Sequence, residues 1–533
     1  MKKILLYIAI AALGLSGAAC NDFGDMNIDP EHLGGGNLNY NLLFTGAQVQ
    51  ALGSDWDVWR NGIIYGATML QHTSSVNWSY GFYTYSEGYN AAFWEIYSSD
   101  NRGAIREVIN VINLWKDAEG YGNDYQMARI LKAYMFHRMT DLYGDIPYSE
   151  VGRISEGIGY PKYDTQESIY DDLLKELDEA QAAISGSSSQ LGSADVYYGG
   201  DASKWKKFAN SLMLRIAMRL SKVDENKAKT WVGKAVANGL FASTDDNAML
   251  LHTDGTPSND SAEPYGKIFS QEDAGAFFIS ETFLSILTSA NDPRIALIAT
   301  VCADPEKKYL DPAYEKGDPT PANQKGMPVG YDIGGGQWDL STAPGYPGSN
   351  FRSVYSVPSR YTYSDPKAPT MIVTYAENQL LLAEAAVRGW VTGSAADFYN
   401  AGVRAAMEQF KFYSGGQDLY AQYLTPAAID AYLLANPFST GSNDDQLEQI
   451  NTQYYITTFC DEYETFANWR RSGYPTLAPV NKNYPNCVTN GTIPRRFTYP
   501  SGESQSNSKN YVEAVNRLSG GDLMTSRIWW DKQ

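Results

Sequence analysis

Apolar residues that return every three or four positions, in runs of roughly fifteen to twenty residues, set the first limit on what this chain can become. Ala128, Leu131, Met135, Met139 and Leu142 place one apolar face on a helix over 128–142. Gly144 ends it, and Pro147 blocks its resumption. Ile169, Leu173, Leu177, Ala180 and Ile184 predict a second helix, preceded by Asp164 and Glu167 at capping-box spacing. Ala209, Leu212, Ile216 and Leu220 mark a third. Val373, Ala376, Leu380, Ala383 and Val387 mark a fourth, closed by Gly389. Ser394 with Asp397 opens its partner through Ala401, Ala405 and Ala406. The joints are short, and Ala376, Ala383, Gly402 and Ala405 are small enough for paired helices to approach closely. Stacked helix pairs of this kind are the logic of tetratricopeptide-like scaffolds, although the strict period of about 34 residues is absent. The expected fold class is mostly α: a tetratricopeptide-like helix-pair scaffold with long loops and a few short strands.

The N-terminus carries a second signal. Met1-Lys2-Lys3 is basic, Ile4 to Ala12 is apolar, and small residues lead to Cys20. That is the layout of a secretory signal. The apolar run is short of the roughly 20 residues that a membrane-spanning helix needs. Gly17-Ala18-Ala19-Cys20 resembles the bacterial lipobox, with Gly17 standing where a branched aliphatic is usual. The resemblance makes Cys20 the lipidated mature N-terminus. The alternative, an ordinary signal peptide cut at Ala19, would leave an exposed thiol open to oxidation. The expected layout is a lipoprotein signal peptide over 1–19, a lipidated tether over 20–36, and a single α domain over 37–533. Asp22 and Asp25 resemble the acidic signal that sends lipoproteins of Bacteroidetes-type bacteria to the outer face of the outer membrane. The expected location is therefore the outer membrane, lipid-anchored and facing the exterior.

A net charge of −19 argues against nucleic acid and anionic membrane surfaces as partners. Beyond Cys20, three cysteines remain, Cys302, Cys460 and Cys487; an odd number implies no disulfide framework, though one pair is allowed. The 39 Tyr and 12 Trp fall heavily in irregular stretches, notably 72–91 and 304–370. Loops this long inside a folded domain are functional or disordered, and their aromatic content argues against disorder.

The last third of the chain carries a family resemblance. Thr374-Tyr375-Ala376-Glu377 runs into Leu380-Leu381-Leu382-Ala383-Glu384-Ala385. Tyr463 to Pro475, with Trp469-Arg470-Arg471 inside it, is followed by Ile493-Pro494-Arg495-Arg496 and Trp529-Trp530-Asp531. Asp141-Leu142-Tyr143-Gly144-Asp145 and Trp205-Lys206-Lys207-Phe208 belong to the same ordered pattern. Together they resemble the SusD/RagB family of outer-membrane nutrient-binding lipoproteins, in its SusD-like subgroup. The resemblance implies four tetratricopeptide-like units with loops packed on them. It also implies a SusC-like TonB-dependent barrel as partner, and capture of oligosaccharides at the cell surface for delivery to that barrel. Some members resemble peptide binders instead. The motifs themselves read as structural: Arg470 or Arg471 paired to acidic groups inside the fold, and the two C-terminal motifs locking the end of the chain onto the helices.

Sugar rings present apolar C–H faces and a rim of hydroxyls, so rigid aromatics with amide, carboxylate and guanidinium neighbours suit them. The first candidate stretch holds Asn77, Trp78, Tyr80, Tyr83, Tyr85 and Glu87, in the loop where the family places part of its ligand arc. The second holds Tyr331, Gln337, Trp338, Asp339, Tyr346, Arg352 and Tyr355. His32, His72, His137 and His252 are far apart in sequence, so no metal site is expected, and no cofactor. Serine-nucleophile, phosphate-loop and Cys-x-x-Cys motifs are missing. The sequence therefore reads as a glycan-binding lipoprotein that does no chemistry. The alternatives are a peptide-binding member of the same family and a surface glycosidase.

Overall fold

The computed structural model describes residues 39–97, 103–253, 261–480 and 482–532, without the side chains of Ser79 and Tyr80. The expected signal peptide, the tether, Cys20 and the ring of Tyr80 fall outside that description.

The first group of helices comprises α1 (Tyr40–Val49), α2 (Ala104–Trp115), α3 (Gly122–Tyr143), α4 (Gln166–Ala183), α5 (Ala202–Arg219) and α6 (Glu225–Asn238). Each packs on the next. α3 starts earlier than its apolar stripe, because the polar residues of its first turn are satisfied from outside. Asn123 donates to the carbonyls of Ser185 and Ser188, and Asp124 accepts from the backbone N–H of Gln190 at 3.0 Å. It ends at Gly144, whose φ of 87° a side chain would resist. The cap of α4 is a correction. Thr165, not Asp164, accepts from the N–H of Ser168, because the Asp164 carboxylate is engaged by Ser149.

The second group comprises α7 (Tyr375–Val387), α8 (Ala395–Glu408), α9 (Asn443–Thr457) and α10 (Glu462–Ser472). Thr374 and Glu377 form a capping box at the start of α7, and Ser394 caps α8 by accepting from the N–H of Asp397. α7 packs on α8 and α9, and α9 on α10. α5 against α7 and α3 against α10 join the two groups. Their buried faces feed a shared apolar core that reaches from Phe44 to Trp530.

Several charges inside this core are paired. Arg471 chelates Glu384 at 2.6 and 2.8 Å. Burial pushes the Glu384 carboxyl up, but the Arg471 charge outweighs it and holds that group well below the usual carboxylate range. Of the two arginines the sequence offered for such a pair, Arg471 makes it, and Arg470 meets no carboxylate. It donates to the carbonyls of Phe466, Arg495 and Asp141, and burial pulls its guanidinium down to about 9. Arg495 pairs with Asp531, Arg496 with Asp522, and the Trp530 indole donates to Asp141 at 3.0 Å. These bonds hold the C-terminal segment onto the helices.

The strands are short antiparallel pairs that fasten loops to this scaffold. Thr73–Ser74 pairs with Phe278–Ile279, Ile146–Pro147 with Tyr163–Asp164, Ala248–Leu250 with Thr370–Val373, and Ala299–Thr300 with Val357–Pro358. The first pair brings the loop after Ser74 beside the turn before Phe278. Among the described residues Cys302, Cys460 and Cys487 are unpaired.

Candidate functional site

The register Thr73 to Ile279 and Ser74 to Phe278 delivers the next four residues to one place. Ser75 donates its hydroxyl to the carbonyl of Ala276 at 2.7 Å and accepts from the N–H of both Asn77 and Trp78 at 3.3 Å. This tight turn presents Asn77 to solvent and leaves Trp78 half-buried. The Trp78 indole N–H donates to Asp273 Oδ2 at 2.5 Å, and the Trp59 indole donates to the same oxygen at 3.3 Å. The two rings stand nearly perpendicular, 84° apart with centroids at 6.2 Å, and Tyr89 lies 6.0 Å from Trp78.

Trp59 arrives from an unusual element. Val58–Ala67 is a ten-residue π-helix, a form found mostly as single-turn bulges near functional sites. The same element sends Arg60 across three rings: its guanidinium carbon lies 3.1 Å from the Trp56 centroid, 4.4 Å from Trp59 and 5.2 Å from Tyr89. Asp273 follows a second, shorter π-helix, Ile268–Glu272. Burial raises the Asp273 carboxyl, and the two indole donors oppose that rise.

The second candidate stretch meets the first here. Arg352, in the 3₁₀ turn Phe351–Ser353, donates to the carbonyl of Gly275 at 2.9 Å and to Asn77 Oδ1 at 3.2 Å. Its Nε lies 3.5 Å from a Glu306 carboxylate oxygen. Asn77, Trp78 and Arg352 are thus gathered around the turn 273–276.

The remaining candidates are spread out. Tyr331 and Tyr346 are half-buried against a small core of Val76, Phe278, Met327, Leu340, Phe351 and Val357. Trp338 is half-buried beside Gln337, which is exposed, and its ring centroid is 6.2 Å from Tyr484. Tyr484 stacks on Phe82 at 3.7 Å and donates to Asp332 at 2.7 Å. Asp339 spends its carboxylate on the N–H groups of Gly335 and Ser341. Tyr85 is 41% exposed but turns to the C-terminal segment, where its hydroxyl meets Glu87 and Thr498.

Two candidates are corrected. Tyr83 is fully buried; its hydroxyl accepts from the N–H of Val480, and burial pushes its phenol up to about 12. Tyr355 is 1% exposed in the small core. Neither ring offers a face to a ligand. Trp59, Arg60, Asp273 and Tyr484 had gone unnoticed in the sequence. The Trp56-Asp57-Val58-Trp59-Arg60 run offered a compositional hint, whereas nothing in the sequence links Asp273 to Trp78. Among the described residues no cluster of His, Cys, Asp and Glu could hold a metal ion, and no helix is long and apolar enough to cross a membrane.

Known proteins resemble this chain along nearly its whole length. A SusD-like family model, described as "Starch-binding associating with outer membrane", matches residues 41–500. No curated protein matches the chain. Among solved structures, a chitin-binding protein is 34% identical with a TM-score of 0.77, over 93% of this chain and 100% of that one. A Bacteroidetes SusD-like protein is 28% identical with a TM-score of 0.80, over 93% and 100%. A chitin-binding SusD homologue from Flavobacterium johnsoniae is 25% identical with a TM-score of 0.70, over 92% and 98%. The chain belongs to the SusD-like family of outer-membrane nutrient-binding proteins.

Proposed function

We propose that this protein is a surface-exposed, lipid-anchored glycan-binding protein that captures oligosaccharides and passes them to a SusC-like TonB-dependent outer-membrane transporter, without chemistry of its own. The observation that carries the reading is the convergence of Asn77, Trp78 and Arg352 on the turn 273–276. There a half-buried indole lies beside an amide, a guanidinium and a carboxylate, the pairing of flat apolar face and polar rim that a sugar requires. Of the remaining candidates, Tyr331, Trp338 and Tyr346 are half-buried in neighbouring loops, and Tyr85 lies against Thr498 of the C-terminal segment.

The ligand class we favour is the N-acetylglucosamine oligomer. Support comes from two chitin-binding relatives, one of them 34% identical over nearly the whole chain. Calorimetric titration of the soluble protein with N-acetylglucosamine, glucose and mannose oligomers tests this. Heat released only by the N-acetylglucosamine series supports the reading; binding to the other two alone moves the specificity elsewhere. Silence with all three, alongside capture from a peptide pool, makes the chain a peptide binder.

A further inference from the structure

Asp273 stands where two tryptophans meet, and its two oxygens do different things. Both indole donors go to Oδ2. Oδ1 receives no hydrogen bond from the described residues. Asp273 is only half-buried, so its carboxylate is not sealed inside the core. A half-buried carboxylate with one oxygen fixed and the other open is a ready acceptor for a ligand hydroxyl or amide N–H. Such a charge-assisted bond is stronger than a neutral one.

The rings make this position specific. Trp59 and Trp78 are each half-buried, and at 84° they form a corner, not a flat floor. A pyranose seated in that corner would lie beside the carboxylate that both indoles share. Without an acceptor at Oδ2, both indole N–H groups would be left unsatisfied in a partly dry site, and the rings would turn toward water. Arg60 lies over the Trp59 and Tyr89 rings and adds a cation to the same cluster.

We infer that Asp273 is a ligand-contact and positioning residue of this surface, with Oδ2 pinning Trp59 and Trp78 and Oδ1 accepting from a hydroxyl or acetamido N–H of a pyranose seated against those two rings. The inference rests on the glycan reading above and adds Trp59 and Asp273 to it.

Two substitutions separate the two oxygens. In Asp273→Asn the amide oxygen can take the place of Oδ2 and keep both indole donors, while an NH2 replaces the open acceptor. In Asp273→Leu both functions go. The Trp59–Trp78 pair should give an exciton couplet in the far-ultraviolet circular dichroism, and Trp78→Phe identifies that signal by abolishing it. The Asn variant should keep the couplet and the melting temperature yet lose about tenfold or more in affinity for N-acetylglucosamine oligomers, the scale of one charged hydrogen bond. The Leu variant should lose the couplet and the binding together. An Asn variant that binds like the wild type overturns the contact. A Leu variant that keeps the couplet overturns the clamp. If the wild type binds none of the three oligomer series, the glycan reading itself fails and the contact with it, while the couplet still decides the clamp.

Discussion

Trp78 and Tyr83 lie five positions apart, yet they answer to different physics. Trp78 is half-buried with its N–H satisfied by Asp273, so its ring is fixed without being enclosed. Trp78→Ala should weaken oligosaccharide binding by roughly 1–3 kcal/mol, the cost of removing an aromatic anchor. Titration should show that as about tenfold to more than a hundredfold in Kd, with only a modest fall in melting temperature. Tyr83 is enclosed, in a left-handed backbone conformation at φ 61°. Tyr83→Ala should cost about 3–5 kcal/mol of stability through the cavity it leaves, read in denaturant unfolding, with the affinity of the folded fraction unchanged. The sequence reading grouped the two because density of aromatics in a loop is visible in one dimension. Which ring turns inward depends on what packs against the loop, here residues 480 and 488, some four hundred positions away.

At the scale of elements, the α7–α8 pair was the most legible. Its caps, its closing glycine and its small-residue face all stand in the sequence as local chemistry. Gly402 gives the face its closeness: a Cβ there would lie 2.8 Å from Leu380 Cγ and 3.1 Å from the Leu380 backbone nitrogen. Gly402→Ala should therefore cost about 1–3 kcal/mol by overpacking, against the small gain in helix propensity that the same change gives in an open helix. A thermal melt that rises instead would show that the helices have room. The short element Pro264–Lys267 carries a different prediction. Its cap, Glu263, is buried, accepts from the N–H of Gly266 at 2.6 Å, and borders a cavity of about 30 Å³. Burial pushes its carboxyl from 4.5 to about 8. In that window the unfolded chain has released the proton and the native protein still holds it, so this group lowers stability as pH rises from 4.5 to about 8. Glu263→Gln mimics the protonated form. Its stability relative to the wild type should climb across that window and level off above it, and chemical denaturation at a series of pH values would show a flat difference if Glu263 titrates normally.

The whole molecule is held by charges that no single element contains. Glu384 of α7 is claimed by Arg471 of α10 and Arg388 at the end of its own helix, with Asn451 of α9 donating at 3.1 Å. Glu384→Ala leaves a buried guanidinium without its partner, and the expected cost is about 3–5 kcal/mol. Glu384→Leu with Arg471→Met together should recover much of it, which a double-mutant cycle in urea would read. The proposed lipid anchor belongs to this scale too. Cys20→Ala should release the protein from the outer-membrane fraction, and a mutant that still pellets with membranes would place the anchor elsewhere. Detergent extracts pulled down through a tag on the native full-length protein should contain a TonB-dependent barrel if the proposed transporter partnership holds.

What the sequence determined by itself was whatever is encoded over a few neighbouring residues: the helical stripes, the caps at Thr374 and Ser394, the stop at Gly144, and an ordered set of motifs specific enough to announce the family. Periodicity and capping are short-range, so one dimension records them. The tertiary structure decided the rest. It put Asn77 against Arg352, 275 positions later, and set Trp59 and Trp78 on one oxygen of Asp273, some two hundred positions on. It buried Tyr83 and Tyr355, chose Arg471 over Arg470 as the partner of a buried carboxylate, and moved the α4 cap by one residue. Each of these outcomes depends on which loop a two-residue strand pair pins beside which turn. A ligand surface made of such contacts has no local signature, because its residues are neighbours only after the chain has folded.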